Sequence, residues 1–209
     1  FKEFIMLKKI LMAAMVLASF TFAETFGVHA GANMSSLYGD GDAAEYSTNG
    51  FGFNAGLTGK LAFKDLPISF IAEAEIDMRN SGNSERKDFS MTEWALDIPV
   101  LVRFDFLGFL FVEAGPSFNF NLSTSTTDKV AGKEVTTKWN GEKLNPETNT
   151  FEFGLAFGVG TSIIPSVDID FRVNLGLTNV RADETALGKT VEFDAKNLQF
   201  ALGLSFWIM

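Results

Sequence analysis

Cysteine is absent from the 209 residues, which excludes disulfides, thiolate metal sites and a lipid-anchoring cysteine. Histidine occurs once, at position 29. Basic charge is scarce: 17 Lys and Arg stand against 26 Asp and Glu, for a net charge of −9. The basic footprint of a nucleic-acid-binding protein is therefore missing. Beyond residue 23 no long continuous apolar run appears, so no segment there reads as a spanning helix. Apolar residues nevertheless make up 46% of the chain, with 23 phenylalanines. They are spread along it with a period of two.

The one continuous apolar stretch lies near the start. Met6 opens an export-type signal: Lys8 and Lys9, the uncharged segment Ile10–Phe20, then Thr21-Phe22-Ala23. Small residues at 21 and 23 suit cleavage before Glu24. Residues 1–5 are read as upstream translation or a fragment edge. The apolar core is shorter than the roughly 20 residues a membrane-spanning helix needs. Residues 1–23 are thus assigned to a cleavable helical signal and its upstream residues, and residues 24–209 to one domain.

Within 24–209 the alternation of apolar and polar residues recurs eight times. It predicts strands at Thr25–Ser36, Gly50–Phe63, Ile68–Arg79, Thr92–Phe106, Leu110–Ser123, Asn149–Ile163, Val167–Asn179 and Asn197–Met209. One face is bulky and apolar, as in Phe151, Phe153, Leu155, Phe157 and Val159, or Leu198, Phe200, Leu202, Leu204 and Phe206. The other carries Gly, Asn, Ser, Thr and charge, as in Asp168, Asp170, Arg172, Asn174, Gly176 and Thr178. Most strands reach the roughly 9–11 residues that a tilted spanning strand requires. Connections alternate long and short, with short ones at 64–67, 107–109 and 164–166. That is the pattern of short periplasmic turns and longer external loops. The expected fold is all-β: an eight-stranded antiparallel up-and-down transmembrane β-barrel. Period alone also admits a soluble lipocalin-like barrel with the apolar faces turned inward. In the third long loop, Lys133–Trp139 is positioned to extend the neighbouring strands as a hairpin. Pro99 and Pro116 fall inside the fourth and fifth strands, nearly opposite one another. Neither can donate to a ladder, so broken pairing or a bulge is expected there.

Five segments carry a family likeness: Gly31-Ala-Asn-Met-Ser-Ser-Leu, Gly52-Phe-Asn-Ala-Gly-Leu, Leu96-Asp-Ile-Pro-Val-Leu-Val, Phe111-Val-Glu-Ala-Gly-Pro and Leu202-Gly-Leu-Ser-Phe. They resemble the PorT-like outer membrane β-barrel family of the Bacteroidetes–Fibrobacteres lineages across nearly the whole of 24–209. The resemblance implies an eight-stranded barrel in contact with outer membrane lipid. It implies no single function, although one branch takes part in protein secretion and gliding. The last strand ends Phe206-Trp-Ile-Met without a terminal aromatic residue. It is read as the strand that the barrel assembly machinery recognises, as the resemblance implies.

Parity along the strands places Lys60, Glu73, Glu75, Asp77, Arg79, Asp97, Arg103, Asp105, Glu113, Glu152, Asp168, Asp170 and Arg172 in the lumen. An eight-stranded barrel is just wide enough for side chains to fill. Buried charges must pair or cost several kcal/mol. The set therefore reads as a candidate interior ionic network that plugs the barrel. A turn at 107–109 sets Arg103 across from Glu113, and one at 164–166 sets Gly158 across from Arg172. The acidic excess keeps a narrow cation pathway open as an alternative. Catalysis has little support: His29 shares a face with Ser35, but the two are too far apart along one strand to hydrogen-bond. A serine from another strand is the remaining route to a nucleophile–base pair. No metal-ligand spacing, phosphate loop or cofactor fingerprint is present. Asp40, Asp42 and Glu45 form an acidic first loop without the EF-hand pattern. The external loops, above all Ser123–Thr148, are the candidate surface for a ligand or protein partner. The expected role is non-enzymatic, structural or through surface interaction.

Overall fold

The computed structural model describes residues 23–39, 47–63, 65–83, 90–130, 133–140, 151–180, 184–186, 189–191 and 195–208. Eight strands form the wall: β1 (Thr25–Tyr38), β2 (Ser47–Ala62), β3 (Ile68–Asn83), β4 (Ser90–Phe106), β5 (Leu110–Val130), β7 (Phe151–Ile164), β8 (Val167–Gly176) and β11 (Lys196–Ile208). Three shorter strands lie outside it: β6 (Lys133–Asn140), β9 (Glu184–Ala186) and β10 (Lys189–Val191). Each wall strand pairs antiparallel with its neighbours in chain order, and β1 pairs with β11 to close the ring. The result is a closed eight-stranded antiparallel β-barrel. Closure leaves no ladder edge exposed along the wall, which is how a sheet satisfies its backbone in lipid. Among the described residues no helix is long and apolar enough to cross a membrane.

The two faces of the wall settle the alternative left by periodicity. Phe51 is 75% exposed, Leu202 59% and Phe157 48%. Inside, Glu73 and Asp77 are each 1% exposed and Arg172 4%. The apolar faces point outward and the charges inward, so the soluble lipocalin-like arrangement does not hold. Aromatic rings pack along the outer face, with Phe53 against Trp94 and Phe104 against Phe106.

Local chemistry explains where strands bend and stop. Pairing between β3 and β4 is interrupted between Ala72↔Val100 and Glu75↔Asp97. Between β4 and β5 it lapses from Pro99↔Ser117 to Val102↔Ala114. Both gaps lie where Pro99 and Pro116 withhold a donor, as expected from the sequence. Gly52 stands at a close backbone approach, where an added Cβ would fall 1.9 Å from the Met78 carbonyl oxygen.

Some strand ends differ from the sequence reading. β5 continues past Ser123 to Val130 because β6 pairs with it from Ser123↔Asn140 to Val130↔Lys133. The 133–139 segment is thus a hairpin arm above the rim. β8 stops at Gly176 rather than Asn179. Beyond it the Thr178 hydroxyl accepts the Phe153 N–H at 2.9 Å and replaces the ladder bond. The turn after β7 is tighter than expected: Ile164 still pairs with Val167, and an irregularity between Ser162 and Ile164 absorbs the difference. The export segment before residue 23 and the first-loop acids Asp40, Asp42 and Glu45 lie outside the described residues.

Candidate functional site

The lumen holds the candidate site, and every wall strand contributes to it. Register follows the sequence reading at both tested points: Arg103 pairs with Glu113 and Gly158 with Arg172. The described ion pairs do not follow adjacent strands: Arg79–Asp77 and Arg103–Asp105 lie two residues apart on one strand, and others, such as Arg103–Asp168 and Arg172–Glu73, reach across the lumen. Three layers result, from the short-turn end to the loop end.

At the short-turn end, Arg103 sends Nη1 to Asp168, Nε to Asp105 at 2.8 Å and Nη2 to Ser162 at 3.1 Å. Its guanidinium carbon lies 3.6 Å from the centre of the Phe111 ring. Trp207 turns inward and donates from Nε1 to Asp168 at 2.9 Å. Lys60 is half-buried, its Nζ 5.6 Å from the Trp207 ring centre. Aromatic rings and a branched ion pair together fill this end.

In the middle layer Arg172 donates from Nη1 to Glu73 at 2.6 Å and from Nε to Glu113 at 3.0 Å. It fits because Gly158 opposite has no side chain: a Cβ there would lie 2.8 Å from the Glu113 carboxylate. His29 meets Glu75 through Nδ1, and Asn54 donates to the other Glu75 oxygen at 2.7 Å. His29 on β1 and Glu75 on β3 are both opposite Gly56 of β2, so nothing stands between their side chains.

Toward the loop end, Arg79 donates from Nε to Asp77 at 2.6 Å and lies 3.6 Å from Glu152. Amides complete the shell. Asn33 and Gln199 donate to Asp77, Asn197 to Glu152, and Asn121 to Glu93. Ser117 donates to Asp97. A cavity of about 30 Å³ lies here, bordered by Arg79, Asn119 and Glu152. That is room for about one water molecule.

All twelve network residues named from the sequence project into the lumen. Eleven are buried, and Lys60 sits half-exposed at the rim, as does the further lumenal acid Asp105. Missed by the sequence reading were Glu93, His29 as an ion-pair partner, Trp207, and the amides of Asn33, Asn54, Asn121, Asn197 and Gln199. Their inward parity was the available signal. Ser35 is not near the imidazole and instead donates to the Asn80 carbonyl at 3.0 Å. Ser205 pairs directly with His29 in the ladder, but both ring nitrogens face carboxylates: Nε2 lies 3.4 Å from Asp170.

The family model described as outer membrane protein beta-barrel domain matches residues 22–181. No curated protein matches the chain. Among solved structures, Neisserial surface protein A is similar at 14% identity, over 87% of this chain and 96% of that one, with a TM-score of 0.48. Ail, the attachment invasion locus protein of Yersinia pestis, solved with the heparin analogue sucrose octasulfate, is 13% identical. It covers 88% of this chain and 98% of its own, with a TM-score of 0.49. The outer membrane protein OprG from Pseudomonas aeruginosa is 13% identical, over 91% and 98% of the two chains, with a TM-score of 0.38.

Proposed function

We propose, from the premise that this chain belongs to the outer membrane protein beta-barrel domain family, that it is a charge-plugged barrel acting through its external loops. Outer membrane placement follows from the family. The observation that carries the plug is the lumen itself. Arg79, Arg103 and Arg172 each branch to carboxylates on other strands or across the bore. No solute path survives such cross-links unless they break. The barrel then acts as a rigid base, and recognition falls to what it displays above the rim, including the β5–β6 arm.

Supporting this reading further, the residue types suit a structural rather than a catalytic lumen. Neither imidazole nitrogen is directed at a hydroxyl, so a serine nucleophile has no base. The proposal extends to export by a signal cleaved after Ala23, and to insertion by the barrel assembly machinery at the last strand. Membership of the PorT-like branch, with a secretion or gliding role, is a narrower form of the same reading. It rests on the Ile98-Pro-Val-Leu and Glu113-Ala-Gly-Pro segments. Lipid is the expected environment, a surface ligand or protein the expected partner, and nucleic acid is not expected.

A second reading is a narrow cation-preferring pathway. It is favoured by the excess of lumenal carboxylates over Lys60, Arg79, Arg103 and Arg172. Refolding into lipid vesicles separates the two. The plug predicts a compact band on an unheated gel that shifts on boiling, with no ion leakage from the same vesicles. Cation-selective leakage from folded protein replaces the plug with the pathway. A chain that stays soluble and folded without lipid overturns both.

A further inference from the structure

The middle layer of the lumen is short of cations. Arg172 is hydrogen-bonded to Glu73 and Glu113 and reaches Asp170 Oδ1 only at 3.6 Å, which leaves Glu75 to His29 and Asp170 between the two cations. His29 is 2% exposed. Its Nδ1 meets Glu75, while Nε2 faces Asp170 Oδ2 at 3.4 Å and makes no hydrogen bond. Asp170 Oδ1 is buried without a hydrogen bond as well. Potential ligand atoms of His29, Glu73 and Glu75 all lie within 4.8 Å of one another. That approaches the spacing of donors sharing one ion at about 2.0–2.2 Å. Space beside the imidazole is kept by Gly203, where an added Cβ would come 2.2 Å from Nε2 and 2.7 Å from Asp170 Oδ2.

We propose that this cluster is a divalent transition-metal site, with one nitrogen of His29 and the carboxylates of Glu73 and Glu75 as ligands and Asp170 beside them. The donor set selects the class of ion. One imidazole with carboxylates suits zinc, cobalt or manganese, whereas calcium and magnesium take oxygen alone. Charge argues the same way. A dication offsets the carboxylates that Arg172 leaves unbalanced, and it needs a ring nitrogen free of its proton, so binding releases any proton held there. Arg172 limits the site without closing it: its Nη1 takes Glu73 Oε2 at 2.6 Å, while Oε1 lies 3.4 Å from Nη2. Metal and motif escaped the sequence reading because the ligands come from two strands, 44 and 46 residues apart.

The test uses the untagged chain folded in detergent micelles, with folding verified by heat-shifted migration. Cobalt is titrated and followed by its visible ligand-field absorption, then displaced by zinc. One cobalt per chain is expected, with the band lost in His29→Ala and in Glu75→Gln but retained in Asp97→Asn, which alters only the loop-end layer. A folded wild type without the band overturns the proposal, as does a band that survives in either cluster variant. Should both variants fail to fold, X-ray absorption of zinc bound to the wild type decides. Histidine occurs once in this chain, so one imidazole in the zinc shell identifies His29. A shell of oxygen alone overturns the site and places the ion among surface carboxylates.

Discussion

Arg172 shows what a single lumenal side chain does. Its guanidinium is 4% exposed and joins Glu73 on β3 to Glu113 on β5. Removing one partner of a buried ion pair leaves the other charge unpaired, at a cost of about 3–5 kcal/mol. Arg172→Met is therefore expected to lower unfolding stability by that amount, read from urea titration in lipid vesicles. Lys60→Met, at a half-exposed rim position, is expected to cost less than about 1 kcal/mol in the same assay. The inward set was legible residue by residue, because a period of two assigns each side chain to a face. Partner choice was not. Arg103 pairs with Glu113 in the ladder, yet its guanidinium goes to Asp168 and Asp105. Strand neighbours fix where a Cβ sits, whereas a long side chain samples everything across the bore.

Strands and turns carry their own instructions. Leu107 begins the β4–β5 turn with φ near 53° and is followed by Gly108 at 74°. The left-handed region costs an ordinary L-residue about 1–2 kcal/mol, and asparagine tolerates it better. Leu107→Asn is expected to raise stability by about 1 kcal/mol, and Gly108→Val to lower it by a similar amount or more. Urea midpoints for the two variants check both signs. Prolines 99 and 116 announced their interruptions in the sequence, since a missing donor is a local property. The extension of β5 to Val130 was only half legible: the 133–139 segment signalled a hairpin, but which wall strand it would continue depended on the route of the chain over the rim.

For the molecule as a whole, the outer face is a continuous apolar band, the surface that the proposed spanning barrel turns to lipid. Leu202 is 59% exposed, on the long β11 strand between Ala32 and Phe171. A lysine there would stand well inside the apolar band and is expected to cost about 2–4 kcal/mol. Phe51, near the loop end of β2, should accept lysine for at most about 1 kcal/mol, because the penalty falls toward the interface. Equal costs at the two positions, measured by unfolding from vesicles, would remove the depth dependence that a spanning barrel requires.

Sequence by itself determined the number of wall strands, their alternating faces, the order of long and short connections and the inward set of charges. These depend on periodicity and on turn residues, which are local along the chain. Only the tertiary structure decided the register in which β1 meets β11, that Trp207 packs inward against Asp168, and that His29, Glu73, Glu75 and Asp170 gather in one layer. Closing the sheet sets distances between residues far apart in sequence, and no local pattern contains that information.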